Sequence, residues 1–86
     1  MVDHSKTTLK GRKLSVDEFV GSKLEELRLA SNQSDSDLGT LLSVPTSDIP
    51  KFVSGRKRIS AAQLFVLARH FGVPVAAFFG IELEAA

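Results

Sequence analysis

The sequence predicts an all-α domain, and three observations on its 86 residues lead to this class. Apolar residues recur at spacings of three and four along several segments, which is the periodicity of helices with one buried face. Three of these segments open with a serine that is followed three residues later by Glu, Asp or Gln, as in a capping box. No stretch alternates between apolar and polar residues for long enough to predict a sheet. We therefore expect about five short helices joined by short connections.

The chain is expected to divide into three parts. Residues 1–13 mix Ser, Thr, Lys and Gly without apolar periodicity, which predicts a flexible basic arm. Residues 14–80 carry the helical patterns and are predicted to form the folded domain. Residues 81–86 form a short C-terminal tail.

The first two predicted helices each follow a capping serine. Helix one follows Ser15 and ends about Ser31. Its apolar stripe consists of Val16, Phe19, Val20, Leu24, Leu27 and Ala30. Helix two follows Ser34, with Asp37 as the third residue, and ends before Pro45 because a proline disfavours the helical conformation of the residue before it. Its short apolar face consists of Leu38, Leu41 and Leu42.

The third predicted helix spans residues 47–54, and Gly55 suits a left-handed C-terminal cap. Pro50 lacks an amide hydrogen, so it is compatible with this helix only inside the first turn. The helix is therefore expected to start around Thr46 or Ser47.

The fourth predicted helix opens with the Ser60 and Gln63 capping box and ends at Gly72. Pro74 lies beyond it and can open a short fifth helix, which ends at Gly80.

Composition excludes several classes of function. The chain has no cysteine and two histidines, so we expect neither a disulfide nor a metal site, and no cofactor or small-molecule ligand is evident. No pair of acids and no nucleophile with a base has a recognisable spacing, so an enzyme is not expected. The chain also lacks the apolar run of a membrane span or a secretory signal, which predicts a cytoplasmic protein without a membrane partner.

The formal net charge of +1 conceals an uneven distribution. Residues 14–50 hold seven acidic and two basic residues, whereas residues 1–13 hold four basic residues and one acid. Residues 51–58 hold four basic residues and no acid, namely Lys51, Arg56, Lys57 and Arg58. The basic arm and the basic loop could each contact phosphate or serve only as a solvated tail and turn.

From Val20 to Gly80 the chain resembles the Xre/Cro-type, lambda-repressor-like family of helix-turn-helix regulators. The residues that match in the first three helices are Val20-Gly21, Arg28, Ser34, Leu38-Gly39, Leu42, Val44, Ile49, Lys51 and Gly55. Those that match further on are Arg58 to Leu64, Val73-Pro74-Val75 and Phe78-Phe79. The resemblance implies a compact five-helix domain that binds double-stranded DNA, normally as a homodimer, with helix three in the major groove.

The resemblance also implies which residues contact DNA and which mediate dimerisation. The base-facing residues would be Thr46, Ser47 and Lys51, because the first residues of helix three face the base edges. The backbone contacts would be Ser34, Asp35, Ser54, Arg56, Lys57 and Arg58. The candidate dimer strip consists of Phe79, Ile81 and Leu83.

Several positions depart from the family pattern, and most of them lie on this implied surface. Asp35 stands where relatives usually have a DNA-anchoring glutamine, Asp37 and Asp48 add two further acids nearby, and Pro50 departs from the polar pattern of helix three. Asp35 could repel phosphate, accept a hydrogen bond from cytosine N4, or stabilise the start of helix two. Val53 cannot pair with Arg28 as the family glutamate does. Arg28 is then either exposed or paired with another acid, with Asp35 and Asp48 as the candidates.

Two functions from different classes follow. The first is a sequence-specific DNA-binding transcriptional regulator that acts as a homodimer. Lys51 and the basic loop favour this function. The alternative is a helix-turn-helix domain with an altered DNA face that acts as a protein-interaction or antitoxin-like accessory module. Asp35, Asp48 and Pro50 favour this alternative.

Overall fold

Four α-helices and a short 3₁₀ helix follow one another along the chain. The computed structural model describes residues 14–80 and, for the backbone alone, Thr8–Leu9 and Arg12–Lys13. The α-helices are α1 (Val16–Ala30), α2 (Asp35–Leu42), α3 (Asp48–Ser54) and α4 (Ala61–Phe71). The 3₁₀ helix spans Val75–Phe79. The all-α class predicted for the domain is confirmed.

A very short antiparallel ladder precedes the helices and was not predicted. Strand β1 (Thr8–Leu9) pairs with strand β2 (Arg12–Lys13), so that Thr8 is opposite Lys13 and Leu9 is opposite Arg12. Strands of two residues are too short to show the alternation by which a sheet is recognised in a sequence. The remainder of the predicted arm lies outside the described residues.

The three predicted capping boxes are all present. In the first, the amide of Glu18 donates to Ser15 Oγ at 3.0 Å and the amide of Ser15 donates to Glu18 Oε1 at 2.9 Å. The same reciprocal pair closes the start of α2 and the start of α4. The three helices therefore begin where the sequence predicts.

The start of α3 accommodates Pro50 as expected. Pro50 is the third residue of α3, inside the first turn, and Thr46 and Ser47 form the turn before it. The carbonyl oxygen of Thr46 would face the missing amide of Pro50 in a regular helix, but it accepts from the amide of Ile49 at 3.1 Å. The α-helix itself starts at Asp48, slightly later than predicted.

The fifth segment is helical, but it is not an α-helix, so the count of five α-helices is not confirmed. Pro74 and Gly80 bound it, and Gly80 has a left-handed φ of 76°. Its bonds join the amide of Ala77 to the carbonyl oxygen of Pro74 and the amide of Gly80 to that of Ala77, at 2.9 and 3.2 Å. Five residues between two terminators leave little room for the i to i−4 ladder of an α-helix.

The core lies between the four α-helices and the 3₁₀ helix. Its buried apolar side chains are Val20, Leu24, Leu38, Leu42, Ile49, Phe52, Ile59, Leu64, Leu67, Ala68 and Phe78. Gly21 allows α1 to approach α3 closely, because a Cβ atom there would overlap the carbonyl oxygens of Phe52 and Val53. In the described part of the chain, no helix has both the length and the apolar character needed to cross a membrane.

Candidate nucleic-acid interface

Helices α2 and α3 are joined by a tight turn that fixes their relative position. Ser43 ends α2 in the left-handed conformation at φ 58°, and the amide of Asp48 donates to the carbonyl oxygen of Pro45 at 2.9 Å. Gly39 faces this turn, and a Cβ atom there would lie 3.0 Å from the carbonyl oxygen of Val44. The turn and α2 are therefore packed backbone against backbone, as in a helix-turn-helix.

Helix α3 and its preceding turn present one solvent-exposed face. The exposed residues are Thr46, Ser47, Pro50, Lys51 and Ser54, whereas Asp48, Ile49 and Phe52 are buried. The exposed residues recur at spacings of three and four, so they share one side of the helix. This α3 face consists of hydroxyl groups, one ammonium group and one proline ring.

Asp48 points away from the α3 face. The residue is 7% exposed, and its Oδ2 accepts from Lys57 Nζ at 2.7 Å. The same ammonium group lies 5.9 Å from the centre of the Phe52 ring. Asp48 is thus a buried carboxylate neutralised by Lys57, so the hypothesis that it pairs with Arg28 is wrong.

Arg28 has a principal partner that the sequence interpretation missed. Its Nε and Nη2 donate to the two carboxylate oxygens of Glu25 at 3.0 and 2.9 Å, and its Nη1 donates to the carbonyl oxygen of Gln33 at 2.9 Å. Asp35 lies at 3.5 Å from Nε, so this part of the pairing hypothesis is confirmed. The hydrogen bonds that Arg28 donates to Glu25 are the main reason why the pKa of Arg28 is raised. The spacing of three residues between Glu25 and Arg28 on α1 is the signal that could have revealed the pair.

The start of α2 holds two more predicted groups. The amide of Asp37 donates to Ser34 Oγ at 3.0 Å. Ser34 Oγ is the acceptor in this bond, so its own hydrogen does not take part in it. The amide of Ser34 donates to Asp37 Oδ2 at 2.9 Å and is the main reason why the pKa of Asp37 is lowered. Asp35 is the first residue of α2, beside the guanidinium group of Arg28.

The loop after α3 carries two exposed arginines. Arg56 Nε donates to Ser54 Oγ at 3.0 Å, which places this guanidinium group next to the α3 face. Arg58 is paired with Asp17 of α1 at 3.2 Å, yet its side chain remains 80% exposed. With Lys51, these arginines form a basic group around the end of α3.

The chain is similar in sequence to one known protein and in fold to several solved structures. No protein-family model matches it. A Rhodospirillum rubrum protein described as an uncharacterized transcriptional regulator in the ATPase CF(0) region is 35% identical over 69 residues, which is 80% of this chain. The chain spans 63% of the length of that relative.

Three crystal structures have a similar fold. The clp gene regulator ClgR of C. glutamicum matches with a TM-score of 0.70 at 19% identity, over 84% of this chain and 100% of that one. A transcriptional regulator of Listeria innocua matches with a TM-score of 0.69 at 21% identity, over 78% of this chain and 63% of that one. The restriction-modification controller protein C.AhdI of Aeromonas hydrophila matches with a TM-score of 0.64 at 25% identity, over 74% of this chain and 96% of that one.

The chain has the fold of a helix-turn-helix transcriptional regulator. This shared fold is consistent with the resemblance to the Xre/Cro type. The four similar proteins are described as transcriptional regulators, a gene regulator and a controller protein.

The helix-turn-helix arrangement brings most of the predicted DNA contacts to one side of the domain. Thr46, Ser47 and Lys51 lie on the α3 face, and Ser54 and Arg56 lie at its end. Lys57 is held by Asp48, so its ammonium group is less available to phosphate than the sequence suggested. The contacts themselves stay predictions.

The candidate dimer strip is described only at Phe79. This side chain is 41% exposed and borders a groove that is lined by the apolar residues Val16, Val20, Ile59, Ala61 and Leu64 and by the ion pair of Asp17 and Arg58. Ile81 and Leu83 lie outside the described residues.

Proposed function

We propose that this chain is a sequence-specific DNA-binding transcriptional regulator that inserts the α3 face into the major groove. The observation that carries the proposal is the α3 face itself, which combines hydroxyl groups and Lys51 and is bordered by two exposed arginines. The description of the Rhodospirillum rubrum relative as a transcriptional regulator supports it.

The proposed contacts divide into base reading and phosphate binding. Lys51 can donate to O6 and N7 of guanine, whereas Thr46 and Ser47 can donate or accept and so tolerate several bases. Phosphate binding falls to the charged and hydroxyl groups around the face. These groups are Ser34, Ser54, Arg56 and Arg58, with Lys57 in a smaller role.

The pairing of the acids removes part of the case for an altered DNA face. Asp48 is buried against Lys57, and Asp35 lies beside Arg28, so neither is an isolated charge directed at phosphate. The described residues of the α3 face include no exposed carboxylate. Pro50 is then the remaining departure on this face.

The proposed working form is a homodimer on a two-fold related DNA site. Phe79 and the groove beside it, whose lining is apolar apart from the Asp17 and Arg58 ion pair, offer a surface that a second subunit can cover. Two copies of α3 would then enter successive major grooves about one helical turn apart.

Selection from a pool of random duplex DNA tests this function. We expect enrichment of a palindromic motif and an affinity that falls steeply as salt rises, because phosphate contacts release counterions. A stable homodimer that enriches no motif and binds DNA weakly at all salt concentrations would contradict the regulator. That result would favour the protein-interaction module.

Arg56 supplies a narrower test of the phosphate contacts. Replacing it with alanine should weaken binding to all duplexes and lower the slope of log affinity against log salt by about one. Arg69 on α4 is the matched control, because it is an exposed arginine whose guanidinium group lies over the ring of Phe65, at 5.8 Å from its centre. Equal slopes for the two variants would refute the role of Arg56.

A further inference from the structure

Pro50 occupies the centre of the α3 face. Thr46 and Ser47 precede it by four and three residues, and Ser54 follows it by four residues. Residues at these spacings lie on the same side of a helix, so the exposed ring of Pro50 is surrounded by the polar groups of the face. The group most central to the proposed reading surface is therefore the one that cannot form a hydrogen bond.

The chemistry of the major groove gives this ring one matching partner. Every base pair presents hydrogen-bonding groups there, but only a pair that contains thymine adds an apolar one, the C5-methyl group. A proline ring placed over a polar base edge would displace water without replacing its hydrogen bonds, which is unfavourable. Over a thymine methyl group, the same ring buries apolar surface instead.

We propose that Pro50 selects thymine at one position of each half-site by contact with its C5-methyl group. The inference rests on the proposed function and adds a specificity-determining residue to it. It also gives Pro50 a role in DNA recognition.

The position of this ring is fixed by its surroundings. Proline has a restricted φ and no freely rotating side chain. Ile49 and Phe52 on either side of it in sequence are buried, and the ion pair between Asp48 and Lys57 holds the first turn of α3 to the following loop. A rigid contact loses little conformational freedom on binding, which favours discrimination of a single methyl group.

Deoxyuridine provides the direct test, because it differs from deoxythymidine only by the missing methyl group. Each thymine of the motif obtained by selection is replaced in turn, and affinity is measured. We expect one thymine in each half-site at which the replacement weakens wild-type binding about fourfold, the value of one buried methyl-sized group. At that thymine, Pro50→Ala should bind the two DNAs more nearly equally, whereas Pro74→Ala should retain the wild-type difference.

A second variant tests the role of Pro50 through a new base preference instead of a weakened contact. Pro50→Gln restores an amide in the first turn and supplies a side chain that can pair with N6 and N7 of adenine. Selection with this variant should therefore replace the preferred thymine by adenine while the rest of the motif is kept. An unchanged preference for thymine at this position would overturn the inference.

The outcomes separate the two proposals. A motif without any sensitivity to deoxyuridine, or with a sensitivity that Pro50→Ala retains in full, overturns the role of Pro50 and leaves the regulator intact. Absence of any motif for the wild-type protein rejects the proposed function, and the role of Pro50 falls with it.

Discussion

At the scale of single residues, the local charge of the α3 region is set by pairs that cross between elements. Lys57 neutralises Asp48, and Arg58 neutralises Asp17, although each partner lies on a different segment of the chain. A sequence gives the number of charges in a segment, but it does not give these distant partners. The prediction of a basic loop was therefore correct in composition and incomplete in geometry.

The pair between Asp48 and Lys57 should contribute measurably to stability. We expect Lys57→Ala to lower the free energy of unfolding by about 1–3 kcal/mol, because it leaves a buried carboxylate without its partner. Urea unfolding of this variant and of Arg56→Ala, its exposed neighbour, measures the difference. The double variant Asp48→Asn with Lys57→Ala should recover part of the loss. Equal free energies of unfolding for Lys57→Ala and Arg56→Ala would show that the pair does not contribute measurably to stability.

The capping carboxylate of Asp37 should give stability that depends on pH. Its pKa is lowered in the folded state by the hydrogen bond from the amide of Ser34, so its ionised form favours folding. The contribution is complete above the unfolded pKa of about 4 and is lost as pH falls through the lower folded value. Asp37→Asn should therefore destabilise more at pH 7 than at pH 3.

Gln63 offers a neutral control for this prediction, because it caps α4 with the same geometry. The effect of Gln63→Ala is expected to be nearly independent of pH over the same range. A destabilisation by Asp37→Asn that is the same at pH 3 and pH 7 would refute the electrostatic origin.

At the scale of elements, local sequence signals placed the helices well, but they did not determine the type of the last one. Ser15, Ser34 and Ser60 act through groups three residues away, so their capping boxes are visible in the sequence. The 3₁₀ geometry of Val75–Phe79 depends on how few residues separate Pro74 from Gly80. The β1 and β2 segments contain too few residues to carry a pattern.

The contact between α1 and α3 depends on a single missing side chain at Gly21. Gly21→Ala should destabilise the domain by about 1–3 kcal/mol, although alanine has the better helix propensity by about 1 kcal/mol, because the new Cβ would overlap backbone oxygens of Phe52 and Val53. Chemical unfolding beside the neighbouring exposed control Ser22→Ala measures this effect. A stabilised Gly21→Ala variant would mean that the helices are free to move apart.

At the scale of the whole molecule, the near-neutral composition is compatible with a DNA-binding surface. The net charge of +1 is the sum of 11 basic and 10 acidic residues, and most of the acids lie in residues 14–50, where several of them cap helices or pair with arginines. The exposed basic groups Lys51 and Arg56 lie on α3 and in the loop after it, whereas Arg58 of the same loop is paired with Asp17 of α1. Separation of charge within the fold therefore matters more for the proposed function than its sum.

The central proposal is tested most directly by comparing Lys51, which is proposed to read bases, with Arg56, which is proposed to bind phosphate. The measurement is the ratio of affinities for the selected motif and for a scrambled duplex, made with wild type, Lys51→Ala and Arg56→Ala. If α3 reads bases, Lys51→Ala should reduce this ratio roughly tenfold, whereas Arg56→Ala should weaken both affinities and leave the ratio unchanged. Equal losses on both duplexes for both variants would contradict the account, because α3 would then contact DNA without reading its sequence.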